Sequence, residues 1–242
     1  MSARAKVLII VAVMTAIVVG GGLWWFLRDD APDEVSLDAA VDQVTEEPTA
    51  DTGSTGSGIE GSWTVDTETG EFDFESATGT FAGFRIDEEL VGVGANVAVG
   101  RTGDVTGTFT IAGSTVTEAE FEVDLTTMTT NESLRDGRMH DALETAEIPT
   151  AGFALTEPIE LGAGAADGES VAVTATGDLT LHDVTRSVEF AMEAQLVDGT
   201  VVLVGSVDGS LPDYDLEAPP SPLVVSVSED FTIELQFLLT AT

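Results

Sequence analysis

The sequence predicts an all-β fold: an antiparallel β-barrel of about eight strands with one short inserted helix, set behind an apolar N-terminal span and an acidic linker. Three observations lead there. First, a one-sided period of two recurs along the chain. It is clearest where Ala119, Phe121, Val123 and Leu125 alternate with Glu118, Glu120, Glu122 and Asp124, the pattern of a strand with one dry and one wet face. Second, two-residue hairpin signals such as Asp198-Gly199 separate apolar runs. Third, the helical period intrudes only once inside this part, between Thr130 and Glu144, and ends before Pro149. An antiparallel barrel or a sandwich satisfies all three, and a barrel leaves no open edges.

The elements are taken from the N-terminus. Val7–Leu27 is an unbroken apolar run of 21 residues, about 32 Å long as a helix and sufficient to cross a bilayer. Arg4 and Lys6 precede it, and Trp24 and Trp25 suit its far interface. Residues 1–28 therefore read as a single-pass membrane anchor that places the rest of the chain outside the cytoplasm. A cleaved signal segment with Gly20, Gly21 and Gly22 near the cut is the alternative, giving a secreted protein. Residues 29–58 are rich in Asp, Glu, Thr, Ser, Pro and Gly. They read as a disordered linker without apolar periodicity, holding the next domain about 30 Å from the apolar run.

Residues 59–242 carry the strands. Trp63 and Val65, Phe81 to Ile86, Val97 with Val99, and Val105, Gly107, Phe109 and Ile111 make the first four. The 119–125 run leads into the helix, which Thr129 or Asn131 can cap, with Glu132 completing a capping box. Asn131-Glu132-Ser133 also fits a glycosylation acceptor, although capping accounts for it. Ala151, Phe153 and Leu155 resume the alternation. Further strands run from Val171 to Leu181, from Val188 to Leu196, from Val201 to Val207 and from Phe231 to Leu239. Several dry-face positions are small, among them Gly107, Ala175, Gly177 and Gly205. They either let strands bend or leave interior volume unfilled.

Composition limits the function. The chain has no Cys, hence no disulfide, no thiol nucleophile and no zinc–thiolate site. Arg4, Lys6 and Arg28 are the only charges in the first 28 residues. After them come all 44 acidic residues and five arginines, a net charge of about −39. Such a field repels a phosphate backbone and excludes nucleic acid as a partner; an anionic membrane surface would not attract it either.

The order of local motifs resembles a known family. Trp63-Thr64-Val65-Asp66, Val105-Thr106-Gly107-Thr108-Phe109, Ser133-Leu134-Arg135-Asp136, Ile148-Pro149-Thr150-Ala151-Gly152-Phe153 and Gly177-Asp178-Leu179-Thr180-Leu181-His182-Asp183-Val184-Thr185 succeed one another as in the YceI-like, lipocalin-like polyisoprenoid-binding proteins of bacteria. The resemblance covers residues 60–240. It implies an extended barrel holding a long isoprenoid or similar amphiphile, in the periplasm or secreted. Two departures stand out: Asp141-Ala142-Leu143-Glu144 replaces a frequent aromatic pair, and Asp183 replaces the usual Gly after His182.

The lining expected for such a barrel is Phe109, Phe121, Val123, Leu125, Phe153, Leu179, Leu181, Phe190, Met192 and Phe237, with Leu134, Met139 and Leu143 on the helix as a lid. In a filled barrel the same residues are simply core. Arg135 is a candidate head-group ligand, because its fork binds oxyanions in a bidentate way; the alternative is that it ties the helix to a strand carboxylate. His140 and His182 are isolated and lack the spacing of a zinc site. The acidic loop Asp208–Glu217 lacks the order of a calcium loop. No G-x-S-x-G elbow is present, and nothing implies a metal or cofactor. The expected function is binding or carriage of an isoprenoid or other long-chain lipid, not catalysis. The alternative is a filled barrel serving as a protein-interaction module of the cell envelope, with protein partners unknown.

Overall fold

The computed structural model describes residues 31–46, 58–70 and 72–242. A helix α1 (Leu37–Glu46) precedes the strands β1 (Gly61–Asp66), β2 (Phe81–Leu90), β3 (Gly94–Thr102), β4 (Val105–Ala112) and β5 (Thr115–Asp124). Next come β6 (Thr129–Thr130), the inserted helix α2 (Ser133–Ala142), β7 (Thr150–Leu155) and β8 (Ile159–Glu160). The chain ends on β9 (Val171–Leu181), β10 (Val184–Val197), β11 (Thr200–Ser210) and β12 (Val224–Ala241).

Eight strands close into an antiparallel ring in the order β1-β4-β5-β7-β9-β10-β11-β12, with β12 returning to β1. The length of β12 permits a second arrangement on the same edge. Its last residues, Leu238 to Ala241, pair with β1, whereas Val224 to Gln236 pair with β2. β2 in turn pairs with β3, and β3 with β6. The barrel therefore has a base, closed by β1, and a mouth, where β2, β3 and α2 stand over the opening. Two-residue turns set the register of neighbouring strands. Asp198 (φ 48°) and Gly199 (φ 89°) join β10 to β11. His182 (φ 52°) and Asp183 (φ 58°) join β9 to β10. Asp at the second position is tolerated because a short polar side chain accepts the left-handed region.

The alternation expected from the sequence is the alternation observed. On β5, Ala119, Phe121 and Val123 are buried while Glu118, Glu120 and Glu122 are exposed. Of the small inward residues, Ala151 lines the cavity described below, but the glycines leave no space. A Cβ on Gly177 would collide with the Phe153 ring, one on Gly205 with Met192 Sδ, and one on Gly107 with Phe121 Cβ at 2.8 Å. These glycines are the sockets in which larger neighbours sit.

The linker expectation is corrected for residues 31–46. Leu37, Ala40 and Val44 are buried against Val202, Val204 and Leu238 on the outer face of the barrel. Their spacing is helical (i, i+3, i+7), and the Ser36 hydroxyl accepts the Ala39 N–H at 3.3 Å at the start of the helix. The acidic residues around these few apolar ones hid the pattern. Beneath this strap the outer wall has its own polar core. Glu234 faces outward on β12 yet is 1% exposed. It lies 2.6 Å from Arg85 Nε and 3.3 Å from Arg101 Nη2. Arg101 is wholly buried, donates to the carbonyls of Asp33 (2.9 Å) and Phe74 (3.3 Å), and stands 4.6 Å over the Phe81 ring. Burial pulls its pKa below the usual guanidinium value, against the opposing pull of Glu234. Arg85 also donates to the Pro32 carbonyl. The apolar run 7–27 lies outside the described residues, among which no helix is long and apolar enough to cross a membrane.

Candidate functional site

A cavity of about 410 Å³ occupies the mouth half of the barrel, within the range of small-molecule sites. The barrel wall supplies Phe121, Val123, Leu125, Leu179, Leu181 and Phe190, all expected from the sequence. The inserted helix supplies Leu134 and Met139, and its C-cap residue supplies Leu143. Met139 is buried, Leu143 half-buried, and Leu134 sits on the rim at 79% exposure. α2 thus forms one side of the entrance.

The base is different. Phe121, Phe153, Phe190 and Phe237 converge from β5, β7, β10 and β12. Phe121 stacks on Phe153 at 5.2 Å between centroids, Phe237 meets Phe121 edge-on at 5.0 Å, and Phe190 meets Phe153 edge-on at 5.3 Å. This layer is the floor of the cavity. Below it, a void of about 80 Å³ is lined in part by Phe109, Phe121, Phe153 and Met192. Phe237 lines neither space and is fully buried. Four of the expected ligand contacts, Phe109, Phe153, Met192 and Phe237, therefore belong to the packed base and floor. The barrel is hollow at the mouth and, below the floor, packed apart from this small void.

The polar groups of the mouth are mostly engaged with one another. Arg135 pairs with Glu88 of β2 and donates to Asn131 Oδ1 at 2.7 Å, and Glu88 also accepts from Asn96 at 2.8 Å. Arg135 thus ties the helix to a strand carboxylate, the second of its two expected roles. Asn131 does not cap the helix. Its side chain accepts the Val99 N–H at 3.1 Å and donates to the Val97 carbonyl at 3.2 Å, fastening the loop to β3. The N-cap is Glu132, without a side-chain cap bond, so the capping box is corrected as well. Asp136 instead accepts from Thr130 N and Oγ1 at 2.9 and 2.7 Å. Arg138 lines the mouth, is exposed, and has no ion-pair or hydrogen-bond partner among the described residues.

The two histidines are bonded to neighbouring loops: His140 Nδ1 to Thr145 Oγ1 and His182 Nδ1 to the Tyr214 carbonyl, both at 3.1 Å. Among the described residues no three His, Asp or Glu side chains converge as a metal site would require, those of the 208–217 loop included.

Sequence reasoning missed the wall contributed by β2, where Phe84, Ile86 and Leu90 line the cavity. The alternation there was legible as far as Ile86 but is broken by Glu88, which points inward because Arg135 and Asn96 meet it. Leu216 and Leu223, from the segment before β12, also line the mouth and carry no periodic signal.

An eight-stranded antiparallel barrel with an apolar cavity at one end and an aromatic floor is a lipocalin-like barrel. The chain belongs to the YceI-like domain family, whose model matches residues 63–239. Among solved structures it is similar to a polyisoprenoid binding domain from Saccharophagus degradans, with 21% identity, 74% of this chain and 98% of that one covered, and a TM-score of 0.55. Burkholderia cenocepacia BcnA matches at 14% identity and a TM-score of 0.49, over 66% of this chain and 96% of that one. The Campylobacter jejuni YCEI protein matches at 12% and 0.46, over 57% and 82%. No curated protein matches the sequence.

Proposed function

We propose that this protein binds or carries a long apolar isoprenoid lipid, or an amphiphile of similar shape, outside the cytoplasm. The observation that carries the reading is the cavity of about 410 Å³ walled by Phe121, Val123, Leu125, Leu179, Leu181 and Phe190. Family membership and the polyisoprenoid-binding description of the Saccharophagus domain support it. Arg4 and Lys6 ahead of the apolar run support the extracytoplasmic side.

The chemistry is burial without bond-making. At about 0.8 kcal/mol per CH₂, a five-carbon unit contributes about 4 kcal/mol gross. Ordering and lost translation cost at least about 4 kcal/mol, so more than one unit is needed for useful affinity. Arg138 is the available cation for an anionic head group, since Arg135 is occupied by Glu88.

Native mass spectrometry of a chain beginning at Asp29, purified from its host without detergent, tests this. The expected result is a discrete added mass, released on denaturation and identified as a long apolar lipid. Leu181→Asp should abolish it in a variant whose circular dichroism is unchanged. Undiminished loading of that folded variant would overturn the reading.

A further inference from the structure

The large apolar side chains left exposed among the described residues are Val91, Val93, Leu134, Leu223 and Val225. One exposed leucine means little. Here Val91 and Val93 form the β2–β3 turn, Leu134 is on α2, and Leu223 and Val225 flank the first residue of β12; the first four line the cavity mouth. The exposed apolar surface is thus gathered on one rim, and four of its five residues share the lining of the cavity with the apolar wall. Such a patch marks a contact surface.

We propose that this rim docks on a lipid bilayer with a neutral surface, so that the cavity opens directly into the membrane. The proposal rests on the lipid-binding reading and adds the place and orientation in which loading occurs. Three features identify the occupant. The patch shares its residues with the lining of a cavity suited to apolar chains. The rim is also less acidic than the rest of the molecule: two of the five arginines that come after residue 28, Arg135 and Arg138, line the mouth against Glu88, Glu132 and Glu217. The overall charge still disfavours an anionic surface, which is why a neutral one is specified.

The third feature is the strap. The Pro32 and Asp33 carbonyls are held by Arg85 and Arg101. From there the strap descends to α1 on Val202 and Val204, close to the β10–β11 turn at the base. The strap thus runs from the level of Glu234 at Pro32 and Asp33 toward the base at α1. Only residues 28–31 separate Pro32 from the end of the apolar run at Leu27, a reach of about 14 Å when extended. The strand from Arg85 to the rim at Val91 rises about 15 Å at a barrel's tilt. With residues 7–27 across a bilayer, a reach of about 14 Å is comparable to that rise of about 15 Å, so a mouth that faces the membrane is compatible with the length of the tether. The 30-residue tether expected from the sequence is shortened by the docked strap to about four residues.

The absence of cysteine makes the test direct. The full chain is reconstituted in phosphatidylcholine vesicles with a single environment-sensitive fluorophore at Leu134→Cys, Leu223→Cys or, in the β4–β5 turn at the base, Ser114→Cys. Quenching by nitroxide-labelled phosphatidylcholine is then measured. The proposal expects several-fold stronger quenching at the two rim positions than at the base. Equal quenching at rim and base, or stronger quenching at the base, overturns it. So does an unquenched rim in labelled chains that a separate size measurement shows to be paired with a second copy. Uptake of a fluorescent polyprenol by the same chains is scored separately. Uptake without rim quenching rejects docking and leaves lipid binding in place; rim quenching without uptake rejects lipid binding and leaves docking in place.

Discussion

Glu234 faces outward on β12 and is nonetheless sealed between Arg85 and Arg101. Two guanidiniums share one carboxylate there, and the Pro32, Asp33 and Phe74 carbonyls take part of the remaining donors. Glu234→Gln would leave both cations without a counter-charge, and breaking a buried pair in this way costs about 3–5 kcal/mol. A urea titration should show the corresponding fall in midpoint. Asp66 makes a pH-dependent contribution of the ordinary carboxylate sign. Burial pushes its carboxyl up, but the Thr69 hydroxyl (2.6 Å) and the N–H groups of Glu68 and Thr69 (2.8 and 3.0 Å) outweigh this and hold it below its ordinary value. A depressed folded value means stability that is fully present above the unfolded value of 3.8 and is lost as pH falls through the folded one. The difference in Tm between the native chain and Asp66→Asn should therefore narrow as pH is lowered below about 4.

Among the elements, α1 shows how few contacts a segment needs in order to dock when its apolar face meets a waiting surface. Ala40 is 1% exposed against the outer wall. Ala40→Asp would place an unpaired carboxylate there, which is costly without a partner, and the strap should lift. A glutamate-specific protease should then cleave after Glu34, and Tm should drop by about 2–4 °C for each kcal/mol lost. The inserted helix is held differently, by polar ties at its start: Arg135 to Glu88, Asp136 to Thr130, and Asn131 to the β3 backbone. With Met139 buried beneath it, α2 is a fixed wall of the entrance.

At the scale of the whole molecule, the barrel is divided by its four phenylalanines into a hollow mouth and a packed base. The floor sets the depth available to a ligand. Phe121 lines both the cavity and the small void beneath it, so Phe121→Leu should connect the two. The variant should lose about 1–3 kcal/mol of stability and shift its preference toward longer chains. A binding series with polyprenols of increasing length checks this, and an unchanged optimum would mean that the floor does not set the depth.

The sequence by itself determined the barrel strands, the turn at Asp198-Gly199, the place of the inserted helix and the inward face of nearly every strand. These are local properties: side chains alternate with a period of two, and a turn needs only its own two residues. It also named much of the cavity wall, because Val123, Leu125, Leu179 and Leu181 lie on strands whose alternation is unbroken. Only the tertiary structure decided which part of the barrel is hollow. That depends on whether large rings from four different strands meet, as Phe121, Phe153, Phe190 and Phe237 do, and the alternation of any one strand is the same either way. Tertiary structure also decided that Glu234 and Arg101 are buried on the outside of the barrel, because the strap and the loop before β2 cover a face whose residues look solvent-facing in sequence. The same holds for the rim, where Val91, Leu134 and Leu223 come from three separate segments and become one apolar surface only once the barrel has closed.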